Sequence, residues 1–571
     1  MSGHENPSWR GAVRGGLIWG GAAVFVAVAG MVEAFAGREL IQGFVSLGMT
    51  LVLMLVLGAG YQAGRRRPGE GLLGAVLRGV VAGGVAGAVL AAFVVLGMQV
   101  NLRSMLINAS PALFNALTLG HGTGGVPLLV LVTASAGAAG AAGALLGGRL
   151  RRPVVAGLLA VLAAGLFQDL LQLLLAEGSV RPALRQYLYG TGGLLVHGAV
   201  TVFLVAAGIT AVAPGRRPAV QRRIEAMPER SRRILRMAFA ALGILVLLLI
   251  PQAAGPFLSQ VLVLVGLYAL MGLGLNLEVG FAGLLDLGFV AFFAIGAYTV
   301  GLLTTVGGEL GFLQVSFWQA LPVAVAVSLA AGVILGLPVL GIRGDYLAIA
   351  TLGFGEIVRL LVLSDFLRPW LGGSQGVLSI PSPVIMGFEF LGPQLVFYLT
   401  VVSSIFVAFV AGRLRDSRLG RAWMALREDE DVAQAMGINL INVKLLAYGL
   451  GAAFAGVSGG IFAIMVGSVF PHSFQLLISI NVLALIIVGG MGSTPGVVVG
   501  ALFLVGMPEL LREFADFRFL VYGAVLVMMM QLRPEGLWPA ASIRRELHAA
   551  AEEAPAPLPA EMPAAKEPAR G

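Results

Sequence analysis

Residues Arg413–Lys444 read RLRDSRLGRAWMALREDEDVAQAMGINLINVK, a polar stretch set between long apolar segments. From Arg421 to Met436 the residues are good helix formers, with no proline and no internal glycine, and predict a helix. Trp423, Leu426, Val432 and Met436 can be drawn onto roughly one stripe with about a 3.6-residue period. Arg427, Glu428, Asp429, Glu430 and Asp431 make a solvated, acid-rich segment, and Gly437 is placed to stop the helix. Two readings fit this pattern: an amphipathic helix lying on a membrane surface, or a docking helix for a soluble partner.

Outward from this stretch the chain is apolar. Of 571 residues, 58% are hydrophobic and 12% are charged, and mean hydropathy is +0.93. Soluble domains carry about a quarter charged residues, so the composition predicts a helical integral membrane protein. Eighty-one glycines suit close helix packing in lipid. The net charge of +8 comes almost wholly from arginine, since Lys444 and Lys566 are the only lysines. Basic clusters at the ends of apolar runs are topology signals, and no nucleic-acid partner is inferred from them. The absence of cysteine excludes disulfides, thiolate metal sites and cysteine nucleophiles. The first run, Leu17 to Ala36, ends in a signal-like Ala34-Phe35-Ala36, but it exceeds a signal core of about 7–15 residues and reads as a retained helix.

The fold class expected is all-α, a polytopic transmembrane bundle of about 16 spans, each run being about 20 residues long. About six lie in residues 1–213, near 17–36, 42–62, 73–98, 127–147, 153–176 and 192–213. Every second junction is basic, through Arg10 and Arg14, Arg65–Arg67, Arg149 with Arg151 and Arg152, and Arg216 with Arg217. The amino terminus is therefore expected in the cytoplasm, with loops 99–126 and 177–191 outside. Residues 214–236 form a basic, proline-bearing cytoplasmic linker. About ten spans follow within 237–540, near 237–251, 256–276, 281–306, 318–340, 344–363, 393–412, 443–466, 475–491, 495–512 and 516–531. Both span counting and the charge rule put 413–442 in the cytoplasm and the glycine-rich loop 364–392 outside. The tail 541–571, rich in Ala, Glu and Pro, is expected to be disordered and cytoplasmic.

Catalytic motifs are missing. Neither lysine sits in a Walker A context, and no H-E-x-x-H occurs among the five scattered histidines. We assign no catalytic residue, no metal site and no bound cofactor, and the chain is not read as an enzyme. Ionisable residues inside the apolar runs are the informative feature, because they are costly in lipid and turn toward a bundle interior. Glu356 and Arg359, one turn apart, are expected to neutralise each other in an inward-facing pair. Asn276, Glu278 and Asp286 flank LNLEVGFAGLLDLG, which is either a turn or an interrupted helix exposing backbone along a polar path. Asn276, Asp286, Glu356 and Arg359 are the candidates for the pathway or the polar bundle interior. Asp169 and His197 are read as a buried pair. Gly456 and Gly460, and Gly492, Gly496 and Gly500, are read as helix-packing positions.

Five ordered blocks then carry a family likeness: GLNLEVGFAGLLDLGFVAFFAIGAYTVGLL (272–303), IRGDYLAIATLGFGEIVRLL (342–361), GGSQGVLSIPSP (372–383), GRAWMALREDEDVAQAMGIN (420–439) and NVLALIIVGGMGSTPGVVVGALFL (481–504). Over about 237–540 the chain resembles the LivM-type permease subunit of branched-chain amino acid ABC transporters; residues 1–213 lie outside the likeness and have no assigned role. The resemblance implies a pore-forming subunit in the inner (plasma) membrane. It would work with a second, LivH-like permease, two cytoplasmic ATPases that use ATP and Mg, and an extracytoplasmic solute-binding protein. It also implies that the ATPases dock on 413–442 through Gly420, Arg421, Trp423, Leu426, Arg427, Glu428, Asp429, Asp431, Ala433 and Gly437. Asp431, Ala433 and Gly437 match an E-A-A, three residues, G spacing loosely, with Asp for Glu and Val for the first Ala. On this reading Trp423, Leu426 and Met436 fill an ATPase groove while Arg427, Glu428 and Asp429 orient it. Urea and short-chain amide importers use similar permeases and are the alternative substrate classes. A stand-alone secondary transporter or channel, with Glu356, Asp286 and Asp169 as proton relays, is the alternative of another kind.

Overall fold

The computed structural model describes residues 7–539, apart from 66–71, 176–180, 213–228, 306–313, 340, 343, 386, 515–516 and 534. Most of the linker 214–236, the tail 541–571, and Arg66, Arg67, Arg216 and Arg217 therefore lie outside the described residues. The chain divides into two compact units, 1–239 and 240–571. Among the described residues nine helices are long and apolar enough to cross a membrane. A bent pair, Leu150–Leu166 and Gln168–Leu174 at 79°, and five shorter apolar helices join them.

In the first unit the helices Pro7–Val28, Leu47–Ala63, Leu72–Gln99 and Val126–Leu145 pack against one another. Alanine and glycine permit this closeness: a Cβ on Gly137 would lie 2.8 Å from Gly83 Cα, so any larger side chain would push two helices apart. Leu90, Val94, Leu113, Phe114, Leu117 and Leu129 form the apolar filling. The first helix ends at Val28 rather than at residue 36, because Gly30 turns left-handed (φ 90) and the chain restarts as the short helix Met31–Ala34. Asp169 and His197 are not a pair. Asp169 bonds Arg38 at 3.1 Å, and the His197 ring lies 4.8 Å from that of Tyr187. The permanent charge and forked donors of Arg38 make it the stronger partner for Asp169.

The second unit is built on Gly255–Phe281 and Leu440–Val466, its two most buried spans. Val290–Thr304 and Phe317–Val339 pack on Leu440–Val466. Gly456 sits where Ser328 Oγ would be 2.5 Å from an added Cβ, and Gly460 faces Leu321 and Val300, so both mark helix contact. Gly496 and Gly500 do the same between Thr494–Ala501 and Leu476–Gly489. Gly492 does not: it lies in the connecting turn with φ 76 and serves the site below. The expected loop 364–392 is irregular, with positive φ at Gly372, Gly373 and Gly376. It is fastened by Val377, which exchanges backbone hydrogen bonds of 2.8 and 2.9 Å with Val469.

Candidate functional site: a broken helix joined to a polar hairpin

The span that begins at Gly255 does not continue into the next helix. Its α-turns end at Leu275, Asn276–Phe281 form one wide π turn, and 282–289 run without helix until Val290. Of the two sequence readings, the interrupted helix is therefore the one observed. Such a break frees backbone groups, and within a membrane protein each must find a partner. Three backbone groups find partners in distant segments, and the Asn276 side chain makes a fourth long-range bond. Asn276 Oδ1 accepts from Gly492 N at 2.8 Å, and Arg427 Nη1 donates to Gly280 O at 2.8 Å. Leu287 N donates to Thr351 Oγ1 at 3.0 Å, and Val290 N donates to Ser479 Oγ at 2.9 Å. Gly283 has φ 73 and lets the Arg427 stem lie against it; a Cβ there would be 2.7 Å from Arg427 Cγ.

Asp286 caps its own turn, accepting from Gly288 N at 2.7 Å. Glu278, which sequence reasoning does not single out as a pathway residue, is fully buried together with Asp286. The carboxyls face each other within hydrogen-bonding reach. Among the described residues no donor reaches either oxygen of Glu278 or Oδ2 of Asp286. Contact between them is a hydrogen bond only when the pair holds one proton. The signal that marks Glu278 is its neighbourhood in space, which sequence spacing does not show.

The polar stretch folds as a hairpin of two helices, Arg418–Glu428 and Glu430–Ala435, rather than one helix from Arg421 to Met436. Asp429 breaks it: its backbone is extended and its side chain caps the second helix, accepting from Asp431 N and Val432 N at 2.9 Å. Asp is favoured at such caps and not within helices. Gly437, φ 85, ends the second helix as expected, with Gly437 N on Gln434 O and Ile438 N on Ala433 O at 2.9 and 3.1 Å.

The break divides the apolar residues between two directions. Trp423 is 0% exposed, and its Nε1 donates to Val443 O at 2.9 Å. Leu426, Ala433 and Gly420 are buried with it. Trp423 and Leu426 therefore hold the hairpin to its own unit and do not fill a partner's groove. Val432 and Met436 are 59% and 79% exposed, and Met424 and Ile441 are also exposed. Arg421, Glu428, Asp429 and Asp431 are exposed around them. Arg427 reaches inward to Gly280 through Nη1 while its Nη2 pairs with exposed Glu428 at 3.4 Å. Lys444 is buried and paired with Glu430 at 2.5 Å, tying the next span to the hairpin.

Glu356 and Arg359 do pair, through Arg359 Nε to both carboxylate oxygens at 3.0 Å and through Nη2. The pair is not interior to the unit: its side chains are 45% and 31% exposed.

Residues 257–530 match the family described as branched-chain amino acid transport system / permease component. The high-affinity branched-chain amino acid transport system permease protein LivM of Escherichia coli K12 is 42% identical over 323 residues, 52% of this chain and 74% of the relative. The probable LivM permease of Methanocaldococcus jannaschii is 23% identical over 331 residues, 49% of this chain and 93% of its own. The E. coli permease LivH is 25% identical over 289 residues, 47% and 90%. No solved structure matches the chain.

Proposed function

The chain belongs to the permease family of branched-chain amino acid transport systems, and from that premise we propose how its two structural features divide the work. It is a multi-pass membrane protein and the permease subunit of an ABC importer. Its substrate is a branched-chain amino acid, and its membrane is the inner (plasma) membrane, with both termini cytoplasmic. ATP and Mg are used by two separate ATPase subunits. A second, LivH-like permease and an extracytoplasmic binding protein complete the assembly.

The hairpin 418–435 receives the ATPase. Met424, Val432, Met436 and Ile441 supply the apolar anchors, and Arg421, Glu428, Asp429 and Asp431 supply the polar rim. The observation that carries this reading is the Arg427–Gly280 hydrogen bond. Through it, a polar surface outside the apolar spans holds the backbone of a broken helix within them. Movement of the hairpin is thereby passed to 276–289, where rearrangement needs only the exchange of side-chain caps for other partners. Of the three carboxylates a stand-alone carrier would use, Asp169 is paired with Arg38 and Glu356 with Arg359, which leaves it Asp286 alone.

The test is affinity purification of the chain from its native membrane in mild detergent, wild type against Val432→Asp/Met436→Asp. Wild type should bring down a Walker-motif ATPase and a second permease, and the double variant should lose the ATPase while inserting normally. A wild-type chain that purifies alone and moves solute without ATP would overturn the reading.

A further inference from the structure

Helix Asp345–Leu363 is the least buried of the candidate spans, yet it carries the ion pair Glu356–Arg359 partly exposed along an apolar segment. A charged pair is expensive against lipid and is placed where it meets something polar. Beside it lies a hollow whose wall includes Arg359, Val358, Val362, Ala294, Tyr298 and Phe474. Tyr298 is 5% exposed, and its hydroxyl has no partner among the described residues. The hollow thus brings together the arginine of the ion pair, an unused hydroxyl and an aliphatic–aromatic wall, with Glu356 bonded to that arginine.

We propose that Arg359, Glu356 and Tyr298 form a binding site for the zwitterionic head of the transported amino acid, with Val358, Val362, Ala294 and Phe474 receiving its aliphatic side chain. The proposal rests on the importer reading above and names the residues that would meet the substrate. The chemistry is complementary. Arg359 spends Nε and one edge of Nη2 on Glu356 and keeps its Nη1 protons for a carboxylate. The Glu356 oxygens retain lone pairs for an ammonium group, and Tyr298 donates to the same carboxylate. The pair has no net charge, matching a ligand with none, so a cationic or anionic amino acid would leave one charge uncompensated.

In the conformation shown the hollow admits little more than one water, so this is a closed form of the site. What would open it is adjacent. Gly355 at its floor lies against Gly288 of the broken stretch, where a Cβ on Gly355 would be 3.1 Å from Gly288 Cα. Thr351, on the same helix, holds Leu287 N. The segment gripped by Arg427 is therefore also the segment that positions the helix carrying the ion pair.

The test uses the complete transporter, measuring ATP-dependent uptake of radiolabelled leucine together with membrane abundance and recovered ATPase. Tyr298→Phe and Arg359→Lys should raise KM roughly three- to tenfold, the loss of one hydrogen bond to substrate, with abundance and ATPase recovery unchanged. The swap Glu356→Arg/Arg359→Glu should keep the pair and the abundance of the protein while losing uptake. Because the chain has no cysteine, Val358→Cys gives a single labelling site in it, and leucine should slow its modification by a thiol reagent. A swapped pair that transports like wild type, or an unchanged KM in both Tyr298→Phe and Arg359→Lys, would overturn the site and leave the pair a structural lock. A wild-type complex that neither hydrolyses ATP nor takes up leucine would instead overturn the importer reading.

Discussion

Replacing Arg427 by methionine removes the donor to Gly280 O while keeping a stem to lie against Gly283. A hydrogen bond from a charged donor contributes about 1.5–3 kcal/mol. The Arg427 side chain is 34% exposed, so water recovers part of this, and about 1–2 kcal/mol remains for the 2.8 Å contact. If that energy holds the hairpin and the broken helix together as one moving part, its loss weakens their coupling roughly five- to thirtyfold. The exposed apolar anchors offered to the ATPase are untouched, and at the polar rim only the 3.4 Å pairing of Arg427 Nη2 with Glu428 is lost. Arg427→Met should therefore bind the ATPase and hydrolyse ATP within about twofold of wild type, while leucine moved per ATP falls fivefold or more. The assay is uptake and phosphate release measured together in proteoliposomes holding the whole transporter. An unchanged ratio would refute the strut. Loss of the ATPase itself would show that Arg427 belongs to the docking face, as the sequence pattern had suggested.

Three further outcomes follow from the same geometry. Trp423→Ala should destabilise the purified chain by about 3–5 kcal/mol, seen as a lower melting temperature in detergent, whereas Met436→Asp should leave melting unchanged and reduce ATPase recovery. Gly283→Ala should lower both stability and uptake, by about 1 kcal/mol or more for the left-handed backbone alone. The Arg427 stem adds to that cost, and equal melting of variant and wild type would contradict it. Glu278→Gln keeps a donor facing Asp286 and should retain fold and abundance, whereas Glu278→Ala leaves Asp286 Oδ2 buried without one and should cost about 1–3 kcal/mol. Equal melting temperatures for the two variants would argue against a proton held between the carboxyls.

Much of the bundle was legible because lipid imposes one rule on every span. Runs such as 318–340 and 393–412 were read within a few residues of Phe317–Val339 and Pro393–Arg415. Where the reading failed, the deciding force was not hydropathy. The run near 281–306 is apolar through its first third except at Asp286, yet helix begins only at Val290. Asn276, Thr351, Ser479 and Arg427 make the non-helical path affordable there, and three of the four are distant in sequence from the break. The hairpin failed for the opposite reason. Its residues are good helix formers, but Asp429 gains two backbone donors by leaving the helix, and that local gain outweighs propensities of a few tenths of a kcal/mol.

The apolar residues of the hairpin serve two purposes. Even in a continuous helix, at about 100° per residue, Val432 would lie opposite Trp423, and the break at Asp429 adds a change of direction between the two helices. With the break, Trp423 and Leu426 turn into the permease and Val432 and Met436 turn out. Arg427, the residue before the last of the first helix, is then carried to Gly280. A hairpin anchored on one helix and exposed on the other transmits force applied to its free face, because the anchored helix resists rotation through buried Trp423 and its bond to Val443 O. A single surface helix, held only by its apolar stripe, would roll in place. The capping aspartate is therefore as much a part of the coupling as the arginine it positions, and Asp429→Ala should lower transport per ATP without touching the exposed apolar contacts. Transport per ATP unchanged in that variant would separate the cap from the coupling and leave Arg427 to act alone.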